Sequence, residues 1–176
     1  EAYKAILKQY GAYEDQEKKH DVDAGTLIPY SMSQYALEKR FPEEFLVEQC
    51  CLQTKKDRKG IQYLYIPYFN EESEEVTYRK RYGNKQFRWK YGAGKDICMY
   101  GEWKISQIRN VGYTVLVEGE SDSQSMWFMG ISTLGIPGAS MMRKEWATTL
   151  QDLKIYIHVE PDKGGEVFLH KVTTAL

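Results

Sequence analysis

Two apolar runs in this sequence end abruptly in carboxylates, and such ends are where chemistry can be done. The first is Tyr113-Thr-Val-Leu-Val-Glu-Gly-Glu-Ser-Asp122 and the second is Lys154-Ile-Tyr-Ile-His-Val-Glu-Pro-Asp162. Each reads as a short buried strand in which Val, Ile and Leu give way to Glu and Asp. Between them lie a helix-like run over 123–129, a short strand over 131–134 and a second helix-like run over 140–150. Strands alternating with helices imply a parallel sheet with right-handed crossovers, and functional groups in such sheets gather outside the carboxyl ends of the strands. Glu118, Asp122, Glu160 and Asp162 are therefore expected at one sheet edge. Crowded like charges resist ionisation, and a divalent cation relieves that penalty. Mg²⁺ takes oxygens from one or two carboxylates together with substrate phosphates, so the pattern points to a Mg²⁺ (or Mn²⁺) site for a phosphate-bearing ligand. Ordinary strands also end in acidic turns, and spacing alone leaves both readings open.

The residues resemble a known family. Val117-Glu-Gly-Glu-Ser-Asp122 is similar to the first motif of the TOPRIM domain, a hydrophobic strand followed by Glu-Gly-x-x-Asp. Val159-Glu-Pro-Asp-Lys-Gly-Gly165 is similar to its second motif, an Asp-x-Asp followed closely by a small-residue helix start. Leu134-Gly-Ile-Pro-Gly-Ala139 sits where primases of this family carry a Gly-rich loop. These three motifs, in order and at the family's spacing, cover about residues 111–171. Upstream, Tyr35-Ala-Leu-Glu-Lys-Arg-Phe-Pro42 resembles the start of phage- and plasmid-type primase catalytic regions. Cys98-Met-Tyr-Gly-Glu-Trp103 resembles the segment that leads into their TOPRIM strand.

The resemblance implies the catalytic core, or most of it, of a bacterial, phage or plasmid DNA primase. Such an enzyme makes RNA primers by attack of a 3′-hydroxyl on a nucleotide α-phosphate. By the same resemblance Glu118 is the acid/base residue, Glu160 and Asp162 bind metal, and Asp122 supports the metal site. The implied partners are a single-stranded DNA template, nucleoside triphosphates and a replicative helicase. Position 160 is Glu where the family usually has Asp, so its carboxylate reaches one methylene further. The family's third acidic position lies about one strand beyond the second motif. Only Glu166 follows Asp162 as an acid, so that strand is expected to be missing and the catalytic unit C-terminally incomplete. TOPRIM domains also occur in nucleases and topoisomerases, so strand cleavage is a second reading. A nucleic-acid-binding module whose chemistry has been lost is a third.

The elements that must position these groups follow from the rest of the chain. The expected fold is α/β: a TOPRIM-like parallel sheet flanked by helices over 111–176, preceded over 31–110 by a smaller α+β template-binding subdomain with an antiparallel hairpin. Residues 1–30 are expected to form an N-terminal helix, with Tyr3, Ile6, Leu7 and Tyr10 on one face, and a polar linker. Ser31-Met-Ser-Gln34 has the form of a capping box, and Phe41-Pro42-Glu-Glu opens a second helix. Phe45, Leu46 and Cys50 are expected on that helix's core face. Ile61 to Phe69 is an aromatic-rich strand, and Val76 to Tyr82 and Gln86 to Tyr91 form a hairpin about Gly83-Asn84. Residues 77–95 hold Arg79, Lys80, Arg81, Lys85, Arg88, Lys90 and Lys95 and no acid. This stripe suits phosphate contacts, and the alternating Phe87, Trp89 and Tyr91 suit either a core or base stacking.

Composition narrows the classes. The 176 residues carry a net charge of −1, so nucleic-acid binding must come from segregated charge rather than overall basicity. No apolar run reaches membrane-spanning length, and a cytoplasmic protein without a membrane partner is expected. The chain opens on Glu rather than Met and reads as a piece of a longer protein. Cys50, Cys51 and Cys98 form no C-x-x-C pair and read as free thiols, not as a zinc framework.

Overall fold

The computed structural model describes residues 26–176; the helix expected around Tyr3 to Tyr10 and the polar stretch after it lie outside the described residues. Helix α1 (Met32–Lys39) begins with the expected capping box. Ser31 Oγ accepts from the Gln34 amide and the Gln34 side chain accepts from the Ser31 amide, satisfying two N–H groups that a helix start leaves open. Helix α2 (Glu43–Glu48) follows Pro42, with Glu43 and Glu44 in its positive first turn.

Four strands then form an antiparallel sheet in chain order: β1 (Gln53–Lys56), β2 (Gln62–Phe69), β3 (Glu75–Tyr82) and β4 (Gln86–Trp89). The β3–β4 hairpin is the expected one. Strand β1 is not expected from its residues, because Gln-Thr-Lys-Lys has neither an apolar alternation nor a β-branched run; pairing with β2 recruits it as an edge. The ladder pairs Arg79 with Trp89, Lys80 with Arg88 and Arg81 with Phe87. Leu64, Ile66, Tyr68, Arg79, Arg81, Phe87 and Trp89 thus share the inner face, and Tyr63, Tyr65, Lys80 and Arg88 the outer. Tyr91, which continues the alternation of Phe87 and Trp89, is fully exposed and not part of the core. The last ladder bond runs from Lys90 N to Tyr78 O, and the chain then turns away at Gly92.

Two 3₁₀ turns (Ala93–Lys95 and Glu102–Lys104) and helix α3 (Ile105–Val111) lead into the second half. There β5 (Tyr113–Glu118), α4 (Glu120–Phe128), β6 (Thr133–Ile136), α5 (Trp146–Thr149), β7 (Lys154–Ile157) and α6 (Lys163–Ala175) build a three-stranded parallel sheet, ordered β6-β5-β7. This is the expected α/β arrangement. Helix α4 starts three residues earlier than the apolar pattern suggests, because Gly119 takes a left-handed φ of 83° and turns strand directly into helix. The helix expected over 140–150 is reduced to α5. Residues before it are held by contacts outside any helix: Ala139 N donates to Glu118 and Arg143 donates to Gly94 O.

The two halves pack through α4. Its Gln124 side chain is fully buried, accepting from Tyr35 Oη and donating to Tyr100 Oη. Glu120, also buried, accepts from Tyr68 Oη at 2.7 Å and pairs with Arg79 at 3.0 Å. Around these polar groups Tyr68, Trp89, Tyr100, Trp103 and Trp127 form an aromatic cluster, and a short bridge joins Tyr100 to Gly135 of β6. Cys50 and Cys98 are buried free thiols, each pushed up to about 12 chiefly by burial, and Cys51 is a half-buried one.

Breaking a buried ion pair from one side leaves an uncompensated charge, at about 3–5 kcal/mol, whereas deleting one hydrogen bond to a charged group costs about 1.5–3 kcal/mol. Urea unfolding should therefore rank Glu120→Ala as more destabilising than Tyr68→Phe. Equal losses would mean that Arg79 finds water or another acceptor when Glu120 is gone.

Candidate active site at the carboxyl edge of the parallel sheet

Strand β5 delivers Glu118 as its last residue, between β6 and β7. The Glu118 carboxylate is half-buried, and its Oε1 accepts from the Ala139 amide at 3.1 Å. That amide belongs to the Gly-rich loop after β6, which therefore orients the carboxylate. Beyond β7 the chain runs through Glu160 to Asp162, whose Oδ1 caps α6 by accepting from Gly165 N at 2.8 Å. Of the Gly164-Gly165 pair, Gly165 is a steric requirement. A Cβ at Gly165 would lie 2.0 Å from the carbonyl oxygen of Glu160, so only glycine lets the helix start so near the strand end. A Cβ at Gly164 would sit 3.1 Å from Asp162 Oδ1 and 3.8 Å from Glu118 Oε2, so no more than a methyl-sized gap separates those two carboxylates.

The other two acids complete the edge. Burial and then the charges of Asp122, Asp162 and Glu118 push the Glu160 carboxyl above the usual range, while His158 opposes the rise. Burial raises the Asp122 carboxyl as well, with Lys39 and His158 holding it down. Asp122, Asp162 and Glu118 thus each lie within electrostatic reach of Glu160. Among the described residues, however, no three His, Cys, Asp or Glu side chains form a ready-made cage for a metal ion. Glu120, the second acid of the first run, is instead taken up in the contact with Arg79 and Tyr68.

Comparison with known proteins places this geometry. No family model matches the sequence. DNA primase DnaG of Thermofilum pendens (strain DSM 2475 / Hrk 5) is 26% identical over 114 residues, covering 63% of this chain and 24% of that protein. The chain thus spans about a quarter of the length of the curated relative it matches. The crystal structure of the primase fragment of the bacteriophage T7 primase-helicase protein superposes with a TM-score of 0.62 at 15% identity, covering 90% of this chain and 70% of that one. A DnaG primase catalytic domain bound to single-stranded DNA gives 0.59 at 12% identity, covering the whole of this chain and 70% of that one. This chain has the fold of a TOPRIM-containing primase core.

In this primase-core fold the basic stripe divides by face. Arg81 is buried, lies between the rings of Tyr30 and Tyr35 and pairs with Glu38. Arg79 faces α4. Lys80 and Arg88 occupy the outer face, Lys85 is exposed in the hairpin turn, Lys90 is exposed just past β4, and Lys95 ends a 3₁₀ turn. The outer side also holds a cleft of about 1050 Å³, lined by Arg58, Lys59, Lys80, Lys90, Tyr78 and Tyr91 among others. Sequence reasoning missed Arg58 and Lys59, because the β1–β2 turn becomes part of this cleft only when the unexpected strand β1 pairs. A tight Asp-x-x-Gly turn beside Lys55 and Lys56 was the available signal.

Glu160 is repelled by its neighbours, so Glu160→Gln should raise the thermal midpoint without divalent metal, by an amount on the order of 2 °C for a surface change in a chain of this size. Mg²⁺ or Mn²⁺ should raise the midpoint of the parent and do so less in the variant. A parent midpoint indifferent to both metals would remove the electrostatic case for a cation here.

Proposed function

We propose that the chain is the catalytic core of a DNA primase, a nucleotidyltransferase that copies single-stranded DNA into a short RNA primer. The observation that carries the proposal is a primase-core fold in which Glu118 and Asp162 flank Gly164 and Glu160 feels the charges of Glu118, Asp122 and Asp162. Their oxygens suit a hard cation. The lack of a preformed cage does not oppose this, because Mg²⁺ takes one or two carboxylates and completes its shell with water and phosphate. Glu160, Asp162 and Asp122 would hold Mg²⁺ or Mn²⁺, which when bound neutralises phosphate charge and lowers the pKa of a hydroxyl.

Glu118 is the general base in this reading. One of its oxygens is fixed by Ala139 N, which leaves Oε2 directed towards Asp162 and the space where the reacting groups would meet. The 3′-hydroxyl of the growing primer gives its proton to Glu118 as its oxygen bonds to the α-phosphorus of a nucleoside triphosphate. The bond to the bridging oxygen breaks and pyrophosphate leaves. Lys80, Lys85, Arg88, Lys90 and Lys95 contact template phosphates in this scheme, joined by Arg58 and Lys59. Single-stranded DNA as the ligand accords with the bound strand in the related DnaG catalytic domain. A helicase partner accords with the primase-helicase relative of bacteriophage T7. No helix among the described residues is long and apolar enough to cross a membrane, and a cytoplasmic setting fits work on a DNA template.

Primer synthesis on single-stranded DNA, with labelled ribonucleotides and Mg²⁺ or Mn²⁺, tests the reading. The protein should extend, and Glu118→Gln should lose about 100-fold or more, the usual worth of a positioned base. Strand cleavage without incorporation would replace primase by nuclease, and binding with neither would leave a nucleic-acid module. Separately, replacing Lys80, Lys85, Arg88 and Lys90 by Ala should flatten the salt dependence of DNA binding by up to about 3 in log–log slope, near 0.7 for each phosphate no longer neutralised. An unchanged slope returns these cations to ordinary surface.

A further inference from the structure

We propose that Arg79 is a positioning residue for Glu118, a clamp reaching from the antiparallel sheet to both backbone segments that hold the catalytic carboxylate. The inference rests on the primase reading for Glu118's role, but the clamp itself can be tested without it. Arg79 projects from the inner face of β3. Its Nη1 donates to Glu120 Oε1 at 3.0 Å, to Glu120 Oε2 at 3.1 Å and to the carbonyl of Pro137 at 3.4 Å. Glu120 opens α4, one residue beyond the Gly119 hinge that follows Glu118. Pro137 lies two residues before Ala139, whose amide holds Glu118 Oε1. One guanidinium thus fastens the segment that carries Glu118 and the loop that orients it. These two segments also meet directly, Gly119 N donating to Ile136 O at 2.7 Å.

The surroundings fix Arg79 in turn. Its guanidinium carbon stands 4.2 Å from the centre of the Phe87 ring and 5.2 Å from that of Trp89, and Tyr68 Oη donates to the same Glu120 oxygen. The side chains of Arg79 and Glu120 are 18% and 7% exposed, so water competes poorly for either partner. All three contacts are made by Nη1 of a planar group packed against two rings, whereas an ammonium at the same place is a point charge on a flexible stem. The contacts therefore assign Arg79 to the site's framework and remove it from the template surface.

Amide hydrogen exchange by NMR on the full chain reads the clamp directly. In Arg79→Ala the Ala139 amide should exchange about tenfold faster or more, relative to β1–β2 ladder amides, since its acceptor is no longer held in place. Arg79→Lys should recover part of the protection, and Glu120→Gln, which keeps the shape, should lose part; these two stand in if the alanine variant does not fold. In primer synthesis kcat should fall on the order of 10- to 100-fold while template affinity and its salt slope stay at the parent values. Unchanged Ala139 exchange in the variants overturns the clamp. So does a salt slope that drops with Arg79, which would make it a phosphate contact. A parent chain that makes no primers overturns the primase reading, and the exchange data still decide the clamp.

Discussion

Burying a charge is the constraint on which the rest of this molecule depends. Glu120 and Arg79 are withdrawn from water together, and neither is tolerable there alone. They belong to different halves, one on the helix that follows β5 and the other on β3, so the halves must dock in the one orientation that closes the pair. Apolar packing of Tyr68, Tyr100 and Trp127 supplies most of the attraction, but such packing tolerates small sliding and rotation. Hydrogen bonds to Glu120 and to both ends of the Gln124 amide do not. The polar set therefore gives the interface its register, at the expense of desolvating groups that a purely apolar contact would not contain.

The opposite constraint operates at the carboxylate edge. There the charges are of one sign and mutually unfavourable, and the fold tolerates them by backbone means. Asp162 caps a 13-residue helix, so its negative charge lies on the positive end of α6, and Asp122 lies in the first turn of α4. Ala139 N supplies a donor to Glu118. Each device offsets part of the repulsion, and the raised Glu160 carboxyl marks what is left. The unfavourable charge is held on rigid strand and helix ends, where a bound cation would relieve the repulsion without rearranging the frame.

Much of this was legible in the sequence where a local rule had no competitor. The Ser31–Gln34 capping box, the Gly83 turn and the apolar-to-acid switch at Glu118 each depend on a few adjacent residues, and each appears where expected. The failures are tertiary. Gln53–Lys56 becomes a strand only because β2 offers an edge. Residues 140–145 form no helix, and around them Ala139 bonds to Glu118 and Arg143 to Gly94. Glu120 was set apart from Glu118 and Asp122 by the motif, but its burial against Tyr68 and Arg79 had no signal in the sequence. The order of the motifs pointed to a shared carboxylate edge, whereas among the described residues no three acids form a closed metal cage.

The basic stripe shows the same lesson at the level of a single strand. Arg79, Lys80 and Arg81 are consecutive and chemically alike, and as sequence they read as one patch. A strand points successive side chains to opposite faces, so Arg79 and Arg81 enter the interior to meet Glu120 and Glu38, while Lys80 faces outward beside Arg88. Slipping β3 by one residue would exchange those tasks, burying a lysine against α4 and leaving Glu120 without its Arg79 donor. The register is pinned by what each face demands: Leu64 and Ile66 must be covered on one side, and Tyr63 and Tyr65 pack with Tyr82 and Tyr78 on the other. Charge on the outer face is therefore open to a polyanion because the neighbouring charges have been committed to framework. The sheet that separates them keeps a strand held on the outer side from reaching the Arg79–Glu120 pair.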